Sequence, residues 1–321
     1  MQAEKWVVYV LLVVKAFIYG LSVLWLGKLL QNIGVLDVLA LRFLLSALGI
    51  LVLVRLGIIK LRFQRKSIKM LLLVSIFEPI GYFLFETLGI QRTSTVMAGI
   101  ILALLPLAAL ITESLILRER TTLLQKLFLG LGILGAVIIV LFTSTQGGSS
   151  EWMGIVFLLL AVVSGSLFLA FSRKASASFS SMEITAFMSF ASAIVFNLIN
   201  LFKHALEGSL DRYFVPLGDF GILSGLLFLA WICSLAATAI NNYACSQIQI
   251  SSVSALGGLT MVVTVLAGVI VNQDSFTVTH LIGTILILAG SVGVNYFGGK
   301  AGRQKGNEMQ RGMEQKGKTF P

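Results

Sequence analysis

Apolar runs of 18 residues or more follow one another along almost the whole chain, separated only by short polar connections. A run of that length crosses the hydrocarbon core of a bilayer when it is helical. Ten such spans are predicted, at about 6–26, 35–55, 70–89, 95–117, 124–143, 152–172, 183–202, 220–244, 249–271 and 278–298. Backbone polar groups find no water in lipid, so each span must satisfy its own hydrogen bonds as a helix. The runs do not alternate apolar with polar residues, which excludes barrel strands. The first run follows Lys5, as a signal peptide would. It is about 20 residues long and no small-residue cleavage site follows it, so it reads as a retained helix.

Composition agrees. Of 321 residues, 57% are hydrophobic and 12% are charged, against about 25% charged in a soluble domain. A water-soluble enzyme, a disordered chain and a secreted disulfide scaffold are excluded. The two cysteines, Cys233 and Cys245, lie in one apolar stretch, so neither a disulfide framework nor a thiolate metal cluster is expected. The two histidines, His204 and His280, are too few for a haem bundle with paired His ligands. No cofactor is expected. The sequence has no Gly-x-Ser-x-Gly, no His-Glu-x-x-His and no phosphate loop.

The net charge of +10 could suggest nucleic acid, but its placement points to membrane topology. Eighteen Lys and Arg residues fall on one side of the ten spans, in the 55–69 loop, at 118–126, at 173–174, at Lys5 and from residue 300 onward. Four fall on the other side: Lys28, Arg92, Lys203 and Arg212. The positive-inside bias therefore predicts a multi-pass protein of the inner or plasma membrane with both termini cytoplasmic. An even number of spans satisfies it. Residues 300–321 are rich in Gly, Lys and Gln, and a disordered cytoplasmic tail is expected there.

Residues 94–140 and 249–295 look alike at an offset of 155, which carries Glu119 onto Asp274 and Gly135 onto Gly290. A looser match at 145 relates Gly20 to Gly165 and Lys28 to Arg173. The chain thus divides into five-span units at 1–145 and 151–299, joined by the Gly/Ser-rich Ser144–Ser150 linker. Five is odd, so the second unit enters the membrane from the opposite face. The predicted fold is all-α, with ten transmembrane helices as two inverted five-helix repeats. Such repeats hold a binding site near the midplane and expose it to either side by rocking.

These features resemble the drug/metabolite transporter superfamily, specifically its ten-helix EamA-type members. The matching segments are Leu41-Arg42-Phe43 in span 2, Ala98 through Pro106 in span 4, and Leu117-Arg118-Glu119-Arg120 with the Gly-rich span 5 after it. The second copy runs from Ser251 to Gly293. It departs in having Met261 where span 4 has Pro106, and Asn272-Gln273-Asp274 in place of the Arg-Glu-Arg run. The resemblance covers about 6–298 and implies a substrate cavity between the halves, with small polar or amphipathic cargo.

Ionisable groups inside a span cost about 2.5–3.5 kcal/mol each on insertion scales, so each needs a reason. The clear cases are Lys15, Arg42, Glu78, Glu86 and Glu113. By helical rise, Lys15 and Glu78 lie roughly 12–14 Å in from the cytoplasmic side, and Arg42 and Glu86 share the outer half. Two pairings are therefore possible by depth, Lys15 with Glu78 and Arg42 with Glu86, and the first is expected to lie close together near the midplane. Glu78, Tyr82 and Glu86 form one stripe on span 3, and Lys15, Tyr19 and Ser22 another on span 1. Pro79 removes a hydrogen bond and should kink span 3. Two readings stand together: a cavity lined by these stripes, and a buried ion pair locking helices 1 and 3. Glu113 reads as an interfacial residue paired with Arg118 or Arg120.

In the second half, span 8 is the polar one. Trp231, Ser234, Thr238, Asn241 and Asn242 fall at helical spacings, and Asn241 corresponds to Glu86 at the 155 offset. Trp231, Thr238 and Asn241 join the candidate substrate residues, Trp231 by stacking on cargo or else by core packing. In span 6, Ser164, Phe168 and Ser172 form a smaller stripe. Gly132/Ala136 and Ala289/Gly293 read as helix-packing pairs. Helices 1, 3, 4, 6, 8 and 9 should surround the cavity, with 5 and 10 peripheral.

The predicted function is secondary transport of a small-molecule substrate, most simply export of amino acids or their derivatives. Efflux of cationic drugs is the alternative within the class, and an intramembrane enzyme or a membrane scaffold is the alternative outside it. The partners expected are cargo and lipid, not nucleic acid. The orientation is checked by cysteine labelling with a membrane-impermeant reagent. A probe at Ser209 should react from outside the cell, and one at Gln64 only after the membrane is opened.

Overall fold

The computed structural model describes residues 2–61, 68–116, 121–144, 149–248, 250, 253 and 257–317. Ten helices follow in order: α1 (Gln2–Leu30), α2 (Val35–Arg55), α3 (Lys69–Ile90), α4 (Thr95–Ile116) and α5 (Leu123–Ser144). The second half has α6 (Ser149–Ala175), α7 (Ser181–Leu206), α8 (Phe220–Gln247), α9 (Gly257–Val271) and α10 (Val278–Gly317). Among the described residues, nine are long and apolar enough to cross a membrane, and α9 is a shorter apolar helix. The segment ahead of α9, which hydropathy assigns to the same span, lies largely outside the described residues. So do the 62–67 part of the basic loop, residues 117–120 and the 145–148 part of the linker. The last helix continues to Gly317 where composition predicts disorder. The tail has no proline before Pro321 and many strong helix formers, so a helix nucleated in the membrane can propagate into it.

Three helices are broken where the cavity needs them to be. In α3 the chain leaves the helix at Glu78 (φ −145°, ψ 129°), and a wide π-type turn spans Ile76–Gly81 around Pro79. In α4 the helix stops at Leu102 and restarts at Leu105, immediately before Pro106. In α8 a second wide turn runs over Phe228–Ala237. The 155 offset carries the α3 turn onto 231–236, inside the α8 turn. It carries the α4 break onto 258–259, at the described start of α9.

Packing repeats the same symmetry. Helices α2 and α7, α4 and α9, and α5 and α10 each pack against their own counterpart. The α3–α6 pairing matches α8–α1, and α1–α9 matches α6–α4. This is the layout of two inverted five-helix repeats. At the α5–α10 seam the backbones nearly touch. A Cβ on Gly135 would lie 2.8 Å from the Gly283 carbonyl oxygen, and one on Gly290 2.7 Å from that of Phe128. Gly135 and Gly290, like Phe128 and Gly283, are counterparts at the 155 offset. Small residues matter here because lipid supplies no hydrophobic drive between helices, and close van der Waals contact must do so.

The α2–α7 pair is tied at the end that carries the 207–219 loop. Asp37 accepts from Asn200 at 3.0 Å and Lys203 at 3.3 Å, and its other contact is His204 Nε2 at 2.7 Å. Tyr213 in the loop donates to Asn197 at 2.7 Å. Burial raises the Tyr213 phenol above its ordinary value, which keeps it a donor.

Gly290→Ala should therefore lower stability by about 1–3 kcal/mol through overpacking against backbone that cannot yield. Gly130→Ala, on the same seam's helix but with open space around it, should be neutral or slightly stabilising. Unfolding midpoints of the two variants in detergent check the difference.

Candidate functional site: a polar cavity between the two halves

A cavity of about 80 Å³ lies between α1, α3, α4, α6, α8 and α9. Neither α5 nor α10 reaches it. Its polar wall comes from Lys15, Tyr19 and Ser22 on α1, Glu78, Tyr82 and Glu86 on α3, Asn241 on α8, and Thr260 and Thr264 on α9. Phe83, Leu102, Phe168 and Met261 supply apolar surface. The spacings explain the convergence. Residues three and four apart share a helix face, so each polar stripe turns as a unit toward the centre.

The α1 stripe is held by α8. Lys15 Nζ donates to Asn241 Oδ1 at 2.8 Å, and Tyr19 Oη lies 3.2 Å from Thr238 Oγ1. These two bonds join the halves across the cavity. On α3, Tyr82 donates to Glu86 Oε1 at 3.0 Å, one turn along. Arg42 lies behind this wall. Its Nε donates to Ser234 Oγ at 2.8 Å, and its guanidinium covers the Phe83 ring at 4.2 Å. Cation–π contact of this kind substitutes partly for lost water.

Side chains add second bonds to carbonyls of the wide turns, which the backbone already pairs. Ser164 on α6 donates to the Phe77 carbonyl at 2.8 Å, and Gly81 leaves room for it: a Cβ there would lie 2.5 Å from Ser164 Oγ. In α8, Thr238 donates to the Cys233 carbonyl at 3.2 Å. Asn242, next to Asn241, bolts α8 to its neighbours. It accepts from Ser172 on α6 at 2.8 Å and donates to Thr185 on α7 at 2.9 Å.

Of the residues singled out from sequence, Lys15, Tyr19, Glu78, Tyr82, Glu86 and Asn241 all line this cavity. Thr238 stands directly behind it through Tyr19. Trp231 does not reach it. The indole is 47% exposed on the outer surface of the bundle, and its Nε1 donates to the Leu45 carbonyl at 3.1 Å. The wide turn at Phe228–Ala237 rotates that residue away from the regular helical face, and α2 offers it an acceptor. Pairing by depth holds for level, since Lys15 and Glu78 share the chamber wall. The hydrogen bonds go elsewhere, from Lys15 to the Asn241 amide and from Arg42 to the Ser234 hydroxyl. Depth sets the level of a side chain but not the direction in which it points. Glu113 is buried near the C-terminal end of α4; Arg118 and Arg120, its expected partners, lie outside the described residues. The α9 threonines went unnoticed in the sequence. Two hydroxyls four apart in an otherwise uncharged span are the signal that marks them.

Two inverted five-helix units closed around a central polar cavity define a membrane transporter. Residues 6–141 and 152–296 each match the EamA-like transporter family, and the chain belongs to it. It is 30% identical over 287 residues to the uncharacterized transporter YcxC of Bacillus subtilis (strain 168), a match covering 89% of this chain and 92% of that one. A solved crystal structure of a protein 15% identical superposes with a TM-score of 0.61, over 88% of this chain and 94% of its own. That likeness establishes a shared fold.

The Lys15–Asn241 bond should carry measurable stability. Asn241→Leu leaves a buried ammonium without its acceptor and should cost about 1.5–3 kcal/mol. Adding Lys15→Met should restore much of that loss. A double-mutant cycle on unfolding in detergent measures the coupling.

Proposed function

We propose that this transporter exports small metabolites carrying both an anionic and a cationic group, amino acids or their derivatives, by alternating access through the central cavity. The observation that carries the reading is the meeting of one lysine and two glutamates, Lys15, Glu78 and Glu86, in one buried chamber. Lys15 binds the cargo carboxylate, exchanging its bond to Asn241 for a charged one. Glu86 or Glu78 receives the cargo ammonium. Tyr19 and Tyr82, at the same level, supply hydroxyls to orient it.

Glu78 and Glu86 also suit proton coupling. A carboxylate in lipid is costly when charged and cheap when neutral, so protonation and cargo binding at one glutamate exclude each other. Export is then driven by proton entry. The termini and the basic loops lie in the cytoplasm, in a cell membrane, as the distribution of Lys and Arg supports.

Uptake and efflux in sealed vesicles against a panel of metabolites tests this. Lys15→Met should abolish transport of carboxylate-bearing cargo, on the order of a hundredfold or more for a lost charged hydrogen bond. Glu78→Gln should remove the pH dependence of transport. If the double variant transports at full rate and still responds to pH, the pair is structural and the reading is wrong. If Lys15→Met instead speeds efflux of lipophilic cations, cationic drugs are the cargo.

A further inference from the structure

We propose that the contact between the start of α4 and the residues after α9 is the outer gate of the transport path, latched by Asp274 and Asn272. The inference rests on the alternating-access reading above. Asp274 Oδ2 accepts the Val96 backbone N–H at 3.0 Å, and Asn272 Nδ2 donates to Thr95 Oγ1 at 2.8 Å. Val96 lies in the first turn of α4, where N–H groups have no partner inside the helix. Ser94 Oγ already takes the Met97 N–H at 3.1 Å. A carboxylate from the other half of the protein completes the cap and meets the positive end of the helix dipole.

The approach of Asp274 is built into the backbone. Gln273 has φ 56°, in the left-handed region that non-glycine residues seldom adopt, and the Asp274 N–H folds back to the Gly268 carbonyl at 3.1 Å. That turn aims Asp274 at α4. Strain of this kind persists where surrounding contacts hold it.

From the latch to the cavity the two helices touch without a gap. A Cβ on Gly268 would lie 3.0 Å from Val96 Cγ2, and one on Gly99 2.8 Å from Thr264 Cγ2. Gly99 and Thr264 are themselves cavity wall. Separating α4 from α9 at this end would therefore expose the chamber. The break at Ala103–Leu104 supplies the hinge, so that Thr95–Leu102 can swing as one short rod. The bonds to be broken are few, and they are polar contacts at the membrane surface, where water can replace them.

Two experiments test the gate in the full-length protein in membranes. In the first, Thr95→Cys with Asn272→Cys is oxidised to a cross-link. Transport should stop and return on reduction. Ser46→Cys with Ser189→Cys, whose hydroxyls lie 3.1 Å apart between α2 and α7, should cross-link without stopping it. In the second, Ser22→Cys reports from the cavity wall to a membrane-impermeant maleimide added outside. Adding Asp274→Ala should raise its labelling on the order of fivefold, from loss of a charged helix cap. Cys233 and Cys245 are buried and set the background. Labelling needs no cargo, so a wrong cargo leaves this result intact. Full transport through the oxidised Thr95→Cys/Asn272→Cys pair, or labelling unchanged by Asp274→Ala, overturns the gate. If Asp274→Ala does not fold, the cross-link decides.

Discussion

A helix that breaks inside a membrane must have its freed polar groups bonded by something other than water. The centre of this protein is organised around that requirement. At Pro79 the wide turn keeps the Phe77 carbonyl bonded to the Tyr82 N–H, and Ser164 adds a second bond from α6. In α8 the Cys233 carbonyl takes the Thr238 N–H, and the Thr238 hydroxyl adds a second bond from the same residue. Each turn also draws a hydroxyl, from Ser164 or Thr238, onto its carbonyl. The cavity is the space left where three broken helices cannot pack as straight rods.

The repeat is symmetric in backbone and asymmetric in chemistry. The wide turns of α3 and α8 coincide at the 155 offset, and the helix pairings exchange one for one. Yet Glu78 corresponds to Cys233 and Glu86 to Asn241. The two acidic cavity residues are in the first unit, and the second supplies the amide that holds Lys15.

Rigidity is distributed to match. The α5–α10 seam is closed by glycines against backbone carbonyls, and α2–α7 is tied by Asp37 to Asn200, Lys203 and His204. Neither pair lines the cavity. The four helices with breaks or late starts, α3, α4, α8 and α9, all do. Close-packed seams resist small displacements, whereas helices interrupted by wide turns can bend at defined points.

Much of this was legible in the residues. Hydropathy placed α2 at 35–55 and most other spans within a few residues, because lipid penalises any exposed backbone and forces long apolar helices. Intramembrane charges marked α1 and α3, because each is too costly to keep without a use. Pro79 and Pro106 marked two of the breaks. The partners were not legible. A rise of 1.5 Å per residue converts sequence into depth, and depth put Lys15 level with Glu78, whose chamber it shares. Packing decided the rotation of each helix, and with it that Lys15 meets Asn241, that Arg42 lies over Phe83, and that Trp231 turns outward. Asp274 and Val96 lie 178 residues apart, and no local pattern joins them. The sequence by itself determined which segments cross the bilayer, since that depends on one-dimensional transfer energy. Only the tertiary structure decided which side chains touch, since that depends on the azimuth of each helix, and the broken turns reset it.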